Sequence, residues 1–165
     1  MGLIAVDLMG GSSGVENNLA ACAEYDRLND LLLVGMQQAV QSTAIARELE
    51  SKGVKFLYTD DFLDGSESLS EVLRHRPNSS MAVCAKLLAA NEVSAVVSSG
   101  DTKALLGLAR SHVGTLPNLQ RPAITKSFQG NTGRFCMLDL GANVNCSETM
   151  LCEFAKLGAA LMYSD

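Results

Sequence analysis

Apolar positions along the chain fall into short continuous runs that alternate with series at helical spacing. Residues 3–8 form an apolar run with one acid, Asp7, near its end, which predicts a buried strand. Gly10-Gly11-Ser12-Ser13-Gly14 breaks that run. Over residues 15–28 the apolar Leu19, Ala20, Cys22, Ala23 and Leu28 recur at helical spacing. Residues 31–34 predict a second strand closed by Gly35. Residues 37–51 carry Val40, Ala44, Ile45 and Leu49 on one face and polar groups on the other, a helix ended near Gly53. Residues 54–58 predict the third strand. This βαβαβ order implies a parallel sheet with helices packed on its faces.

The same reading continues beyond an acidic, loop-like stretch at residues 59–65. A short helix over residues 68–73 stops before Arg74-His75-Arg76-Pro77. Residues 81–90 predict a helix with Ser79 or Ser80 as its N-cap, and residues 93–97 a fourth strand. Residues 102–113 predict another helix, with Asp101 as its N-cap. Residues 123–128 and 135–140 flank Gln129-Gly130-Asn131-Thr132-Gly133, a turn that predicts a β-hairpin and hence a mixed, mostly parallel sheet. A last helix is expected over residues 147–161. Ser164-Asp165 follows it directly with no closing strand, so the fold is read as incomplete. No linker, repeat or low-complexity tract appears, and a single α/β domain over residues 1–165 is expected.

Composition narrows the function classes. Apolar residues make up 47% and charged residues 19%, which excludes a disordered chain. The net charge of -5 argues against a general nucleic-acid binder. No apolar run is long and uncharged enough to cross a bilayer. The opening residues lack the basic n-region and cleavage pattern of a signal peptide, and Val6 stands where a myristoylation signal needs Ser or Thr. Cys22, Cys84, Cys136, Cys146 and Cys152 form no C-x-x-C pair and flank apolar segments, which predicts reduced, mostly core thiols in a cytoplasmic protein. His75 and His112 have no metal-ligand partner nearby in sequence, so no metal site is expected.

Candidate chemistry lies in three strand-ending turns: Asp7-Leu8-Met9-Gly10-Gly11-Ser12, Ser98-Ser99-Gly100-Asp101-Thr102 and Asp139-Leu140-Gly141-Ala142-Asn143. In open α/β sheets ligands bind beyond the carboxyl ends of strands, where such turns gather. Glycine admits close backbone approach, and free N–H groups at a helix start favour an anion. The structural alternatives are plain ones: Asp7 and Asp139 as turn caps, Ser79-Ser80 as a helix cap, and Arg74, Arg76 and Arg121 as solvated or paired. Neither G-x-G-x-x-G in strand context nor a P-loop occurs, and no G-x-S-x-G supports a serine nucleophile.

Taken as a series, several segments resemble the PlsX family of phosphate acyltransferases. They are A-V-D-L-M-G-G from Ala5, S-S-M-A from Ser79, S-S-G-D-T-K-A-L-L-G-L-A from Ser98, R-P-A-I from Arg121 and L-D-L-G-A-N-V-N-C from Leu138. The resemblance covers nearly the whole chain. It implies a three-layer α/β/α sandwich related to phosphotransacetylase and the isopropylmalate dehydrogenases. It also implies conversion of acyl-acyl carrier protein and inorganic phosphate to acyl phosphate for phospholipid synthesis, with no metal or organic cofactor. Acyl carrier protein and phosphate are then the partners, and the full-length family is homodimeric with peripheral membrane contact through its second half.

Carried onto this sequence, the resemblance implies that Asp7, Gly10, Gly11 and Ser12 shape one wall of a cleft. Ser99, Gly100, Thr102 and Lys103 hold phosphate, with Ser79, Ser80 and Asp101 beside them. Asp139, Gly141, Ala142 and Asn143 complete the thioester side, and Asp7, Asp139 and Asn143 are the implied catalytic groups. Family members usually read M-G-G-D where this chain has Met9-Gly10-Gly11-Ser12, and S-x-G-N-T-G-A where it has Ser98-Ser99-Gly100-Asp101-Thr102-Lys103-Ala104. The paired loss and gain suggests that Asp101 takes over from the acid missing at residue 12, with Lys103 balancing it. Family chains are also considerably longer, and the second half is expected to carry the remaining wall. The alternatives are the acetyl phosphate-forming alpha subunit of glycine reductase component C, and a non-catalytic module that binds phosphate or a carrier protein.

Overall fold

In the computed structural model, which describes residues 2–131 and 133–163, the chain divides into two compact units, residues 1–113 and 114–165. The first unit contains strands β1 (Ile4–Asp7), β2 (Leu31–Met36), β3 (Lys55–Thr59) and β4 (Ala95–Ser98). Its helices are α1 (Gly14–Ala23), α2 (Gln37–Gln41), α3 (Ala44–Ser51), α4 (Leu69–His75), α5 (Ser80–Ala89) and α6 (Thr102–His112). All four strands run parallel in the order β3-β2-β1-β4.

The side-chain alternation of a strand decides what covers each face. Ile4, Val6, Leu31 and Leu33 point to one side, where they meet Leu19 and Cys22 of α1, Val40 of α2, and Ala46 and Leu49 of α3. Ala5 and Val34 point to the other side and pack with Cys84 of α5. A further cluster joins Val72 of α4 and Met81 of α5 to Ala104 and Leu108 of α6. The expected three-layer α/β/α arrangement is therefore present in this unit. Leu33 is fully buried, and burying a side chain of that size contributes about 1.5–3 kcal/mol.

Strand order also fixes where a site can lie. The chain proceeds outward from β1 through β2 to β3, then crosses to the opposite side of β1 to form β4. The loops leaving β1 and β4 lead to helices on opposite faces of the sheet. Between these neighbouring strands lies a topological switch point, the place where open α/β sheets form a crevice.

Several boundaries differ from expectation for local reasons. The helix expected over residues 37–51 is two, because Thr43 Oγ1 accepts from the Ala46 amide at 3.1 Å and donates to the Val40 carbonyl at 2.9 Å. That side chain ends α2 and caps α3. α1 stops at Ala23, and a single 3-10 turn at Leu28–Asp30 precedes β2. Gly35 lies inside β2, not beyond it. A β-carbon there would sit 3.1 Å from Val40 Cγ2 and 3.2 Å from Leu8 Cβ, so the glycine admits close packing. Ser79 occupies the N-cap position of α5 but makes no side-chain cap; its hydroxyl donates instead to the Arg76 carbonyl at 2.9 Å.

The second unit holds β5 (Lys126–Gly130), β6 (Gly133–Met137) and α7 (Glu148–Tyr163). The predicted hairpin is present, with Phe128 opposite Phe135 and their ring centroids 5.4 Å apart. It forms its own antiparallel sheet and does not join the parallel strands, so the four-stranded sheet is not mixed. Its alternating polar residues suit one solvated face, whereas β2 reads as the apolar run of a strand covered on both sides. The turn's Thr132, and the Ser164-Asp165 end on which an incomplete fold was read, lie outside the described residues, as does Met1. Only Cys22 and Cys84 are core thiols. Cys136 is half-buried, Cys146 and Cys152 are exposed, and all five are free. The expectation of mostly core thiols is corrected: a cysteine beside apolar residues in a helix or loop can still face water. Among the described residues no helix is long and apolar enough to cross a membrane.

Candidate functional site

Asp7 is the last residue of β1 and is 2% exposed. Its Oδ1 accepts from the Ser80 hydroxyl at 2.6 Å and from the Met9 amide at 3.1 Å, and its Oδ2 accepts from the Ser98 hydroxyl at 2.7 Å. One carboxylate thus ties the end of β1 to the start of α5 and to the end of β4. A buried carboxylate needs such donors, because unpaired it would forfeit its hydration. Cys84 lies on the next turn of α5. Burial first, and then the Asp7 charge, push its thiol far above the usual cysteine range, so it is a packing group and not a nucleophile.

The turns that leave β1 and β4 are pressed together. A β-carbon on Gly10 would lie 2.6 Å from the Gly100 backbone nitrogen and 2.9 Å from Gly100 Cα. Gly11 has φ of +81°, and a β-carbon there would meet the Ser99 hydroxyl at 2.7 Å. The Ser99 hydroxyl donates to the Gly10 carbonyl at 2.8 Å, and the Gly100 amide donates to Ser98 Oγ at 3.1 Å. Asn18 of α1 donates through its Nδ2 to the carbonyls of Leu8 at 2.8 Å and Gly10 at 2.9 Å, which holds the first turn from beneath. Asp7, Gly10, Gly11, Ser80, Ser99 and Gly100 are accordingly gathered at the carboxyl ends of β1 and β4.

Three residues were not singled out by sequence and belong to this cluster: Ser98, Asn18 and Met81. Met81 Cε would stand 2.5 Å from a β-carbon on Gly100. Ser98 lies in the second of the quoted turns, where the resemblance assigns it no role. Asn18 had a usable signal: it is a carboxamide on the same helix face as Val15, Leu19 and Cys22.

Other expected residues make different contacts. Asp101 Oδ1 accepts from the Ala104 amide at 2.8 Å, so the residue is the N-cap of α6 as expected. Asp101 and Lys103 line a cavity of about 380 Å³ with the segment running from Gly65 to Leu69. The cavity lies beside α6, with Ser66, Glu67 and Ser68 on its other side.

 Ser12 and Thr102 are exposed, and Ser79 turns its hydroxyl to Arg76.

In the second unit Asp139 repeats the device seen at Asp7. Its Oδ1 accepts from the amides of Ile124 at 2.9 Å and Ala142 at 3.0 Å. Its Oδ2 accepts from the Asn143 amide at 2.7 Å and from Asn143 Nδ2 at 2.9 Å, while the same Nδ2 donates to the Pro122 carbonyl at 3.0 Å. Burial pushes the Asp139 carboxyl upward. Hydrogen bonds from the Asn143 side chain and from the Ile124, Ala142 and Asn143 amides outweigh it and hold the group below the usual aspartate range. Gly141 carries φ of +106° within this turn, a conformation that favours glycine.

Comparison with known proteins matches residues 3–164 to a family described as "Fatty acid synthesis protein". A phosphate acyltransferase of Pseudomonas syringae is 35% identical over 163 residues, covering 96% of this chain and 48% of that protein. One from Dichelobacter nodosus is 36% identical over 163 residues, covering 96% and 47%. One from Thermodesulfovibrio yellowstonii is 36% identical over 160 residues, covering 95% and 46%. The chain spans about half the length of these relatives.

Proposed function

Because the chain belongs to the fatty acid synthesis protein family that the PlsX-like motifs indicated, we propose that it serves phosphate acyl transfer. Inorganic phosphate is the acyl acceptor and an acyl thioester of a carrier protein is the donor. The observation that carries this reading is the backbone contact between Gly10 and Gly100 at the switch point of the sheet. Two glycine turns meet there, and the helices α1 and α6 start from them. Amides at helix starts supply neutral donors suited to an oxyanion, while the Ser99 hydroxyl, which donates to the Gly10 carbonyl, holds the two turns together.

In the proposed reaction a phosphate oxygen attacks the thioester carbonyl carbon and forms the new C–O bond, while the carbonyl electrons move onto oxygen. Collapse of that intermediate breaks the C–S bond. The thiolate leaves with the electron pair and takes up the proton that phosphate gives up, which leaves acyl phosphate and free carrier. The protein's contribution is to hold phosphate against the carbonyl and to stabilise the developing oxyanion.

Asp7 and Asp139 enter this account as positioning residues. Their oxygens are occupied by internal donors, and both fix the shape of a glycine turn. Asn143 holds its turn from the side chain and backbone together. Lys103, exposed at the start of α6, is the cation nearest in sequence to the phosphate turn. Acyl carrier protein as donor, a homodimeric assembly, a role in phospholipid synthesis and a cytoplasmic setting all belong to the same proposal; the relatives' name supports the phosphate acyl transfer itself.

The test is product formation from acyl-acyl carrier protein and phosphate, with acyl phosphate trapped by hydroxylamine. The proposal expects hydroxamate that depends on phosphate. Thioester that stays intact, or that is hydrolysed to free acid regardless of phosphate, would count against it.

A further inference from the structure

We propose that the cleft beside α2 seats the amide-bearing arm of the acyl donor, an inference that rests on the phosphate acyl transfer reading. The cleft holds about 440 Å³ and is lined by Met36, Gln37, Gln38, Gln41, Thr59 and Asp60. Met36 ends β2 and Thr59 ends β3. Because the strands are parallel, the cleft lies on the same edge of the sheet as the glycine turns. β2 neighbours β1 and β3 lies beyond it, so the lateral distance from the end of β1 is about 5–10 Å. The end of β2 packs against the first glycine turn: a β-carbon on Gly35 would stand 3.4 Å from the sulfur of Met9, the residue before Gly10.

The lining decides the class of ligand. Gln37, Gln38 and Gln41 each present a carboxamide with both donors and an acceptor. Gln37 Nε2 donates to Gln41 Oε1 at 3.2 Å, and Gln41 Nε2 to the Tyr58 hydroxyl at 3.5 Å. Tyr58 in turn donates to Glu50 Oε1 at 2.6 Å, so this row of polar groups is anchored from behind. The lining has one charge, the acid Asp60, and one apolar side chain, Met36. An anion meets the wrong charge there, and a hydrocarbon tail meets mostly polar groups. A neutral, extended chain of amides matches both demands.

Pantetheine, which links the thioester sulfur to its carrier in coenzyme A and in acyl carrier protein alike, is such a chain. With the thioester carbonyl at the Gly10 and Gly100 turns, the arm would run over the ends of β2 and β3. Binding energy taken up along the arm would then position the reacting carbonyl.

The test pairs the Gln38→Ala/Gln41→Ala double variant with the unaltered chain. Free pantetheine is titrated while the glutamine side-chain amide signals are followed by NMR. Shifts at Gln37, Gln38 and Gln41 are expected, with binding about ten-fold weaker in the variant, the loss expected for a pair of neutral hydrogen bonds. In the same proteins kcat/KM is measured with acyl-acyl carrier protein, acyl-coenzyme A and the shortened acyl-N-acetylcysteamine thioester. The ratio of each full-arm donor to the short donor is expected to fall about ten-fold in the variant. A fall for one full-arm donor alone identifies the source of the arm. Pantetheine that leaves the glutamine signals unmoved, or ratios that do not change, overturns the proposal. Glutamine shifts without acyl phosphate from any donor would keep the arm seat and defeat the acyl transfer reading.

Discussion

The Ser80 hydroxyl and the Asp7 carboxylate, 73 residues apart in sequence, meet at 2.6 Å in a buried site. That bond holds the start of α5 against the end of β1, beside the crevice. Replacing Ser80 by alanine leaves Asp7 Oδ1 with the Met9 amide alone. Urea unfolding of Ser80→Ala should show a loss of about 1–3 kcal/mol. Asp7→Ala, which strands both hydroxyls and the Met9 amide, should cost more.

Gly10 and Gly14 make a second, sharper comparison. A methyl group on Gly10 would be driven against the Gly100 backbone, 2.6 Å away. Gly14 has φ of +79° and nothing within 4 Å of its added β-carbon. Gly14→Ala should therefore cost only its conformational strain, about 1 kcal/mol. Gly10→Ala should cost about 1–3 kcal/mol by overpacking and should also part the two turns. Thermal unfolding of the two variants checks the order.

Most of the first unit was legible because each strand is a short apolar run and each helix carries its apolar residues at regular spacing. Asp101 was legible as a cap because cap chemistry is local. Thr43 splitting one helix in two was equally local and was missed, since the apolar spacing continues across it. The partners of Asp7 could not be read in sequence. Ser80 and Ser98 reach it only after two crossovers have placed α5 and β4 beside β1. The loss of acid at residue 12 and gain of acid at residue 101 suggested an exchange across facing turns; the contact present is Asp101 Oδ1 capping α6.

Asp139 predicts an acid-sensitive second unit. Its folded pKa lies below the ordinary aspartate value, so its stabilising contribution is present above the unfolded pKa and is lost as pH falls through the folded one. Resistance to denaturant should fall as pH drops from about 5 towards 2. Asp139→Asn should be less stable at neutral pH and show a shallower acid loss in the signal from that unit.

Cysteine labelling tests the burial pattern. Cys146 and Cys152 are exposed, whereas burial raises the pKa of both Cys22 and Cys84. In the native protein a thiol reagent should modify Cys146 and Cys152 rapidly. Cys22 and Cys84 should react only after denaturation, as peptide mapping would show.

The central claim is that the joined Gly10 and Gly100 turns bind inorganic phosphate. It is tested most directly by titrating phosphate into the unaltered chain and into Gly10→Ala, with binding followed by 31P NMR and folding by circular dichroism. The account predicts saturable binding to the unaltered chain and at least about ten-fold weaker binding to a folded Gly10→Ala, the loss expected when well-placed hydrogen bonds are parted. No saturable binding, or equal binding by the two proteins, would contradict it.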